Sequence, residues 1–261
     1  MAGNPILEPR LQDYTATWQG TGEATGYSAS NARLFGQPRR LERSTNTAAN
    51  SGLSCVMLGT TAAVKSVTLF LCNFPTVTIK QGSAFNAGTT LVSAASVPFS
   101  TWPLTSQRNK HFDLTGNVAT GGTISILPSG TPDNGATYWQ MGKVAILLAA
   151  DPLPDDAIEP PYKWTVREAE TRLSFLSGGE DVQSDGPIHL ERDVGRSDWF
   201  KTDVIRAGLS LVIAAGKTAP LLFFENLDDA SHVALVRRTN DPEFSEDVVT
   251  FGMTLTLRDI V

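Results

Sequence analysis

Three histidines, His111, His189 and His232, are the residues best suited to acid–base work near neutral pH. They lie far apart in the chain, and none has a second nitrogen or sulfur ligand at metal-binding spacing. His111 and His232 each sit beside a strand-like run, where a satisfied structural role is expected. Adjacent carboxylates occur at Asp155-Asp156, Glu180-Asp181, Asp228-Asp229 and Glu246-Asp247. They lack the alternating Asp-x-Asp-x-Asp-Gly order of a calcium loop, so solvated turns are the default. Glycosidase carboxylates meet only in space, so such a pair stays open, with no aromatic-rich cleft pattern beside it. The glycines at Gly20-Thr21-Gly22 and Gly178-Gly179 stand outside any strand–turn–helix frame and read as turns, not as a dinucleotide fingerprint. No catalytic residue, metal ligand or cofactor is expected, and the chain reads as a non-enzyme.

One basic concentration stands out: Arg33, Arg39, Arg40 and Arg43. Guanidinium groups pair with carboxylates and phosphates through a planar fork. The first 150 residues hold 10 Lys+Arg and 6 Asp+Glu, net +4, while residues 151–261 hold 11 and 21, net −10. These sum to the −6 of the whole chain, which speaks against nucleic acid as the partner of the basic cluster. The basic half then faces an acidic half on another copy, which favours a homo-oligomer. Two unrelated surfaces are the plain alternative. Cys55 and Cys72 sit in apolar runs and are expected to be buried free thiols.

The elements that must position these groups are short. Apolar runs broken by Gly, Pro, Asn and Asp are the pattern of an all-β fold, as two β-sandwich units of jelly-roll or galectin-like type. Residues 1–50 read as an extended N-terminal arm with one or two short strands. Its aromatic residues, Trp18 among them, must lie against something, either the arm's own domain or a neighbour. Residues 51–150 read as the first sandwich. Strands are expected at 67–72, 76–80, 89–92, 111–114 and 123–127, and as one run from Tyr138 through Leu148. Residues 151–161 hold four prolines and read as a linker, and 162–261 as the second β-rich domain. The N-terminal residues show no signal-peptide pattern and no run reaches the length of a membrane span, so membrane insertion is not expected.

Two stretches carry a resemblance. The run 136–144, with Tyr138-Trp139 followed by Gly142-Lys143, resembles a strand that closes a discoidin- or galectin-like sandwich in tail proteins of long-tailed bacteriophages. The second half is similar in its order: Trp199, then the run 216–224, then Leu235-Val236-Arg237-Arg238, then the terminal run 254–260. The resemblance spans roughly residues 60–261 and brings no catalytic residues. It implies a structural virion protein of the distal tail, baseplate or collar, made in the host cytoplasm and working with other phage tail proteins. The alternative function is a carbohydrate- or receptor-binding module for a host-surface glycan. Trp102 and Trp164 would then be the sugar contacts, against a plainer role in loop packing.

Overall fold

A computed structural model describes residues 6–8, 17–33, 41–48, 54–57, 64–99, 108–114, 122–148, 163–167, 170–174, 180–184, 189–200, 217, 221–224, 233–241, 243–246 and 250–259. The fold is all-β. Strands take up 58% of these residues, more than twice an ordinary globular share, and helix is confined to the 3₁₀ turns Ala29–Arg33 and Asp133–Gly135.

In the first half the strands are β1 (Ile6–Glu8), β2 (Thr17–Gln19), β3 (Glu42–Arg43), β4 (Ser54–Met57), β5 (Val64–Cys72) and β6 (Thr76–Gly82). They continue with β7 (Thr89–Ser96), β8 (Arg108–Asp113), β9 (Thr123–Ser129), β10 (Gln140–Met141) and β11 (Lys143–Leu148). Five of them form one sheet, in the order β2-β4-β9-β6-β7, and three form another, β11-β5-β8. A two-stranded ladder joins β3 to β10.

Alternation explains the core. Along β6 the burial follows period two, with Val77 and Ile79 inside and Thr76 and Thr78 turned outward. Val77, Ile79, Ile124 and Ile126 come from the five-stranded sheet, and Val67, Leu69, Phe112, Val144 and Ile146 from the three-stranded one. These residues belong to a single buried cluster, completed by Phe74 and Trp139 from the connections.

The expected run from Tyr138 through Leu148 is divided. Tyr138 and Trp139 precede β10, and Gly142 separates β10 from β11. The cause lies across the ladder. Leu71 takes φ 58°, inside a register shift between Leu69 and Cys72. Its side chain comes within 2.6 Å of where a Cβ on residue 142 would stand, so only glycine fits there.

The second half supplies β12 (Lys163–Arg167), β13 (Glu170–Ser174), β14 (Glu180–Ser184), β15 (His189–Phe200), β16 (Leu221–Phe224), β17 (Val233–Arg238), β18 (Glu243–Glu246) and β19 (Thr250–Asp259). A seven-stranded sheet runs β1-β16-β17-β19-β15-β12, with β18 also on β19, and β13 and β14 form a separate hairpin. All the strand pairs of both halves are antiparallel among the described residues.

The described parts of segment 1–50 are built into sheets of their own chain. β1 pairs with β16 through Ile6↔Phe224, Leu7↔Phe223 and Glu8↔Leu222. β2 pairs with β4, and β3 with β10. Ala29 and Ala32 are fully buried. The proline-rich stretch 151–161 lies outside the described residues.

Candidate interaction site at Arg43

β3 is two residues long, yet several bonds anchor it. Its neighbour Ser44 donates its backbone N–H to Trp139 O (3.1 Å), while Ser44 Oγ accepts from Trp139 N (2.9 Å). On the other side Ala24 N donates to Arg43 O (2.8 Å), Arg43 N to Tyr27 O (3.1 Å) and Thr45 N to Gly22 O (2.7 Å). The turn that returns the chain to β3 uses Gly22 and Gly26 at φ 74° and 83°, a region glycine enters without strain. Glu23 Oε1 ties the same turn by accepting from Gly20 N (2.7 Å) and Ala29 N (3.0 Å).

These bonds place Tyr27 and Tyr138 around the Arg43 guanidinium, whose Cζ lies 4.4 Å from one ring centroid and 4.9 Å from the other. Arg43 Nε donates to Gln140 Oε1 (2.8 Å), directly across the ladder. Gln140 and Tyr138 are themselves held by Asn73, whose Oδ1 accepts from Gln140 N (2.7 Å) and whose Nδ2 donates to Tyr138 O (3.0 Å). The guanidinium is therefore fixed in plane and position, half-buried, and meets no carboxylate among the described residues.

Arg108 is the instructive contrast. Its Cζ lies 3.8 Å from the Phe99 centroid, but its fork is satisfied: Nε and Nη2 reach Asp133 Oδ2 (2.8 Å) and Oδ1 (2.9 Å), and Nη1 reaches Val97 O (2.7 Å). Arg108 builds the fold, and Arg43 keeps a charge to offer.

The other expected site residues are not gathered here. Trp18 lies on β2 and packs, partly buried, against the first-half core. Arg33 ends the 3₁₀ turn, and its side chain is outside the described residues, as are Arg39, Arg40 and Trp102 entirely. Trp164 lies on β12 with its backbone opposite Arg192, and its side chain is likewise not described. His111 Nδ1 stands 2.9 Å from Thr68 Oγ1 across β5 and β8. Cys72 is a buried free thiol, and burial pushes its pKa well up, against a smaller lowering from Arg108. Among the described residues no group of three or more His, Cys, Asp or Glu is placed to hold a metal ion, and no helix is long and apolar enough to cross a membrane.

Lys143 is a functional candidate that sequence reasoning passed over, its one cue being its place at the head of an apolar strand. It is fully buried at the start of β11, where Nζ donates to Asn31 O (3.0 Å). Burial lowers its pKa from 10.5 to about 8. The folded chain thus sheds this proton at lower pH than the unfolded chain. Between about pH 8 and 10.5 the unfolded state binds more protons, so folding is favoured as pH rises through that window. Below pH 8 the cost of burying the ammonium is fully present. Relative to Lys143→Met, the natural chain is expected to gain stability across this window, with a slope approaching about 1.4 kcal/mol per pH unit. Urea melts of both proteins at several pH values check this, and parallel stability curves would refute it.

No protein-family model matches the chain, and no curated protein matches it.

Proposed function

We propose that the chain is a structural subunit of a bacteriophage tail, in the distal tail or baseplate region. Its work is association, with copies of itself in a closed ring and with neighbouring tail proteins. Each half is read as a β-sandwich of jelly-roll or galectin-like type. Antiparallel order throughout and a single core fed by two sheets support that reading for the first half. The place in a phage tail rests on the sequence resemblance.

The observation that carries the association is Arg43. Its guanidinium is held between two tyrosine rings with no carboxylate partner among the described residues, in a half of net +4 joined to a half of net −10. A pinned guanidinium loses little entropy when it binds, so a carboxylate on a second copy meets a prepared receptor. The outer edge of the five-stranded sheet adds to this. β7 carries no Lys, Arg, Asp or Glu, the residues that usually blunt an exposed edge, although bulges bend it.

Sedimentation velocity over a range of protein concentrations tests the reading. The chain is expected to assemble at low ionic strength, and salt should loosen the assembly, because exposed charges are screened beyond about 10 Å at 0.1 M. Arg43→Gln should weaken association about tenfold or more, the scale of one hydrogen bond to a charged group. A chain that stays monomeric at every concentration and salt would remove association as its function.

A further inference from the structure

Arg238 ends β17, and only 5% of its surface remains open to solvent. Its Nε and Nη1 are both buried, and neither has a hydrogen-bond partner among the described residues. A guanidinium cannot shed its proton to escape the cost of burial. Buried charges are therefore paired in stable folds, and a buried N–H without an acceptor is costly.

The row across the sheet holds a second arginine. Arg238 stands opposite Leu257 on β19, and Leu257 stands opposite Arg192 on β15, so two arginines flank one leucine in a single cross-strand row. In the next row, on the opposite face of the sheet, Arg237 is opposite Arg258, and Arg258 is in turn opposite Glu191, so that face carries its own carboxylate. Arg108 shows the arrangement that Arg238 lacks: the same side chain, partly buried, with a carboxylate taking two of its N–H groups.

We infer that Arg238 is the core of an oxyanion-binding site, which takes a phosphate or carboxylate group against the end of β17. The buried N–H groups supply fixed donors. A tetrahedral or planar oxyanion satisfies donors that the chain itself leaves open.

Thermal unfolding in the presence of inorganic phosphate, acetate or chloride, at matched ionic strength, tests this. Phosphate or acetate is expected to raise the melting temperature of the natural chain saturably, and chloride is not. Comparing phosphate with acetate tells a phosphate site from a carboxylate site. Arg238→Met should abolish the saturable response, whereas Arg237→Met, at the exposed neighbour, should keep it. Arg238→Lys retains charge but loses the fork, and should weaken the apparent affinity about tenfold or more. This variant decides the matter if the methionine variant does not fold. A natural chain indifferent to both oxyanions overturns the inference, and so does an Arg238 variant with an unaltered response.

Discussion

Trp139→Ala is expected to destabilise the first half by about 3–5 kcal/mol, the usual cost of emptying a large aromatic site in a core. The indole is 3% exposed and meets Phe74 edge-to-face, with ring centroids 6.3 Å apart and planes at 88°. The residue also joins two parts of the fold through its backbone, by the paired bonds with Ser44. Loosening it therefore loosens β3 and the clamp on Arg43. Since whole domains are stable by only about 5–15 kcal/mol, the variant should unfold at much lower urea concentration. Trp139→Phe should fall between the two. A loss below about 1 kcal/mol would mean that the indole does not fill this core.

The second large effect is expected at Asp133. Its two oxygens hold Arg108, and the two side chains are only 17% and 13% exposed. Asp133→Ala leaves the guanidinium half-sheltered, with only Val97 O and the Phe99 ring. Breaking one side of such a pair costs more than replacing both, because a desolvated charge is stranded. A loss of about 2–3 kcal/mol is expected for Asp133→Ala, with Arg108→Met costing less. In the double variant the losses should fall short of their sum by more than about 1 kcal/mol. Additive losses in a urea-melt cycle would show that the pair is not coupled.

The part of this fold legible in the sequence is the part set by local alternation. Val77 and Ile79 declare β6 because every second residue must face inward, and the apolar run within β5 is readable in the same way. What could not be read depends on distant partners. The break at Gly142 follows from Leu71 on a neighbouring strand, and nothing near residue 142 announces it. β3 is too short to carry a period, and its place is fixed by Tyr27, Trp139 and Gln140. Arg43 was visible as one member of a basic cluster, but the tyrosines that hold it come from positions 27 and 138. Lys143 and Arg238 carry the charge of surface residues, and only tertiary burial sets them apart. The cue at Lys143 was faint: it heads an otherwise apolar strand.

The pairing of β1 with β16 also sets an order in time. Ile6 meets Phe224, and 224 minus 6 is 218 positions. At ribosomal rates of about 5–20 residues per second, roughly 10–40 s separate the synthesis of these two strands. The five- and three-stranded sheets need nothing beyond Leu148 and can close during that interval. β1 is thus made long before the strand that places it. This contact contributes heavily to the contact order of the chain, which is the property that slows folding. Until β16 arrives, residues 6–8 lack the strand they pair with in the folded chain, and a strand edge left waiting is open to pairing with another chain.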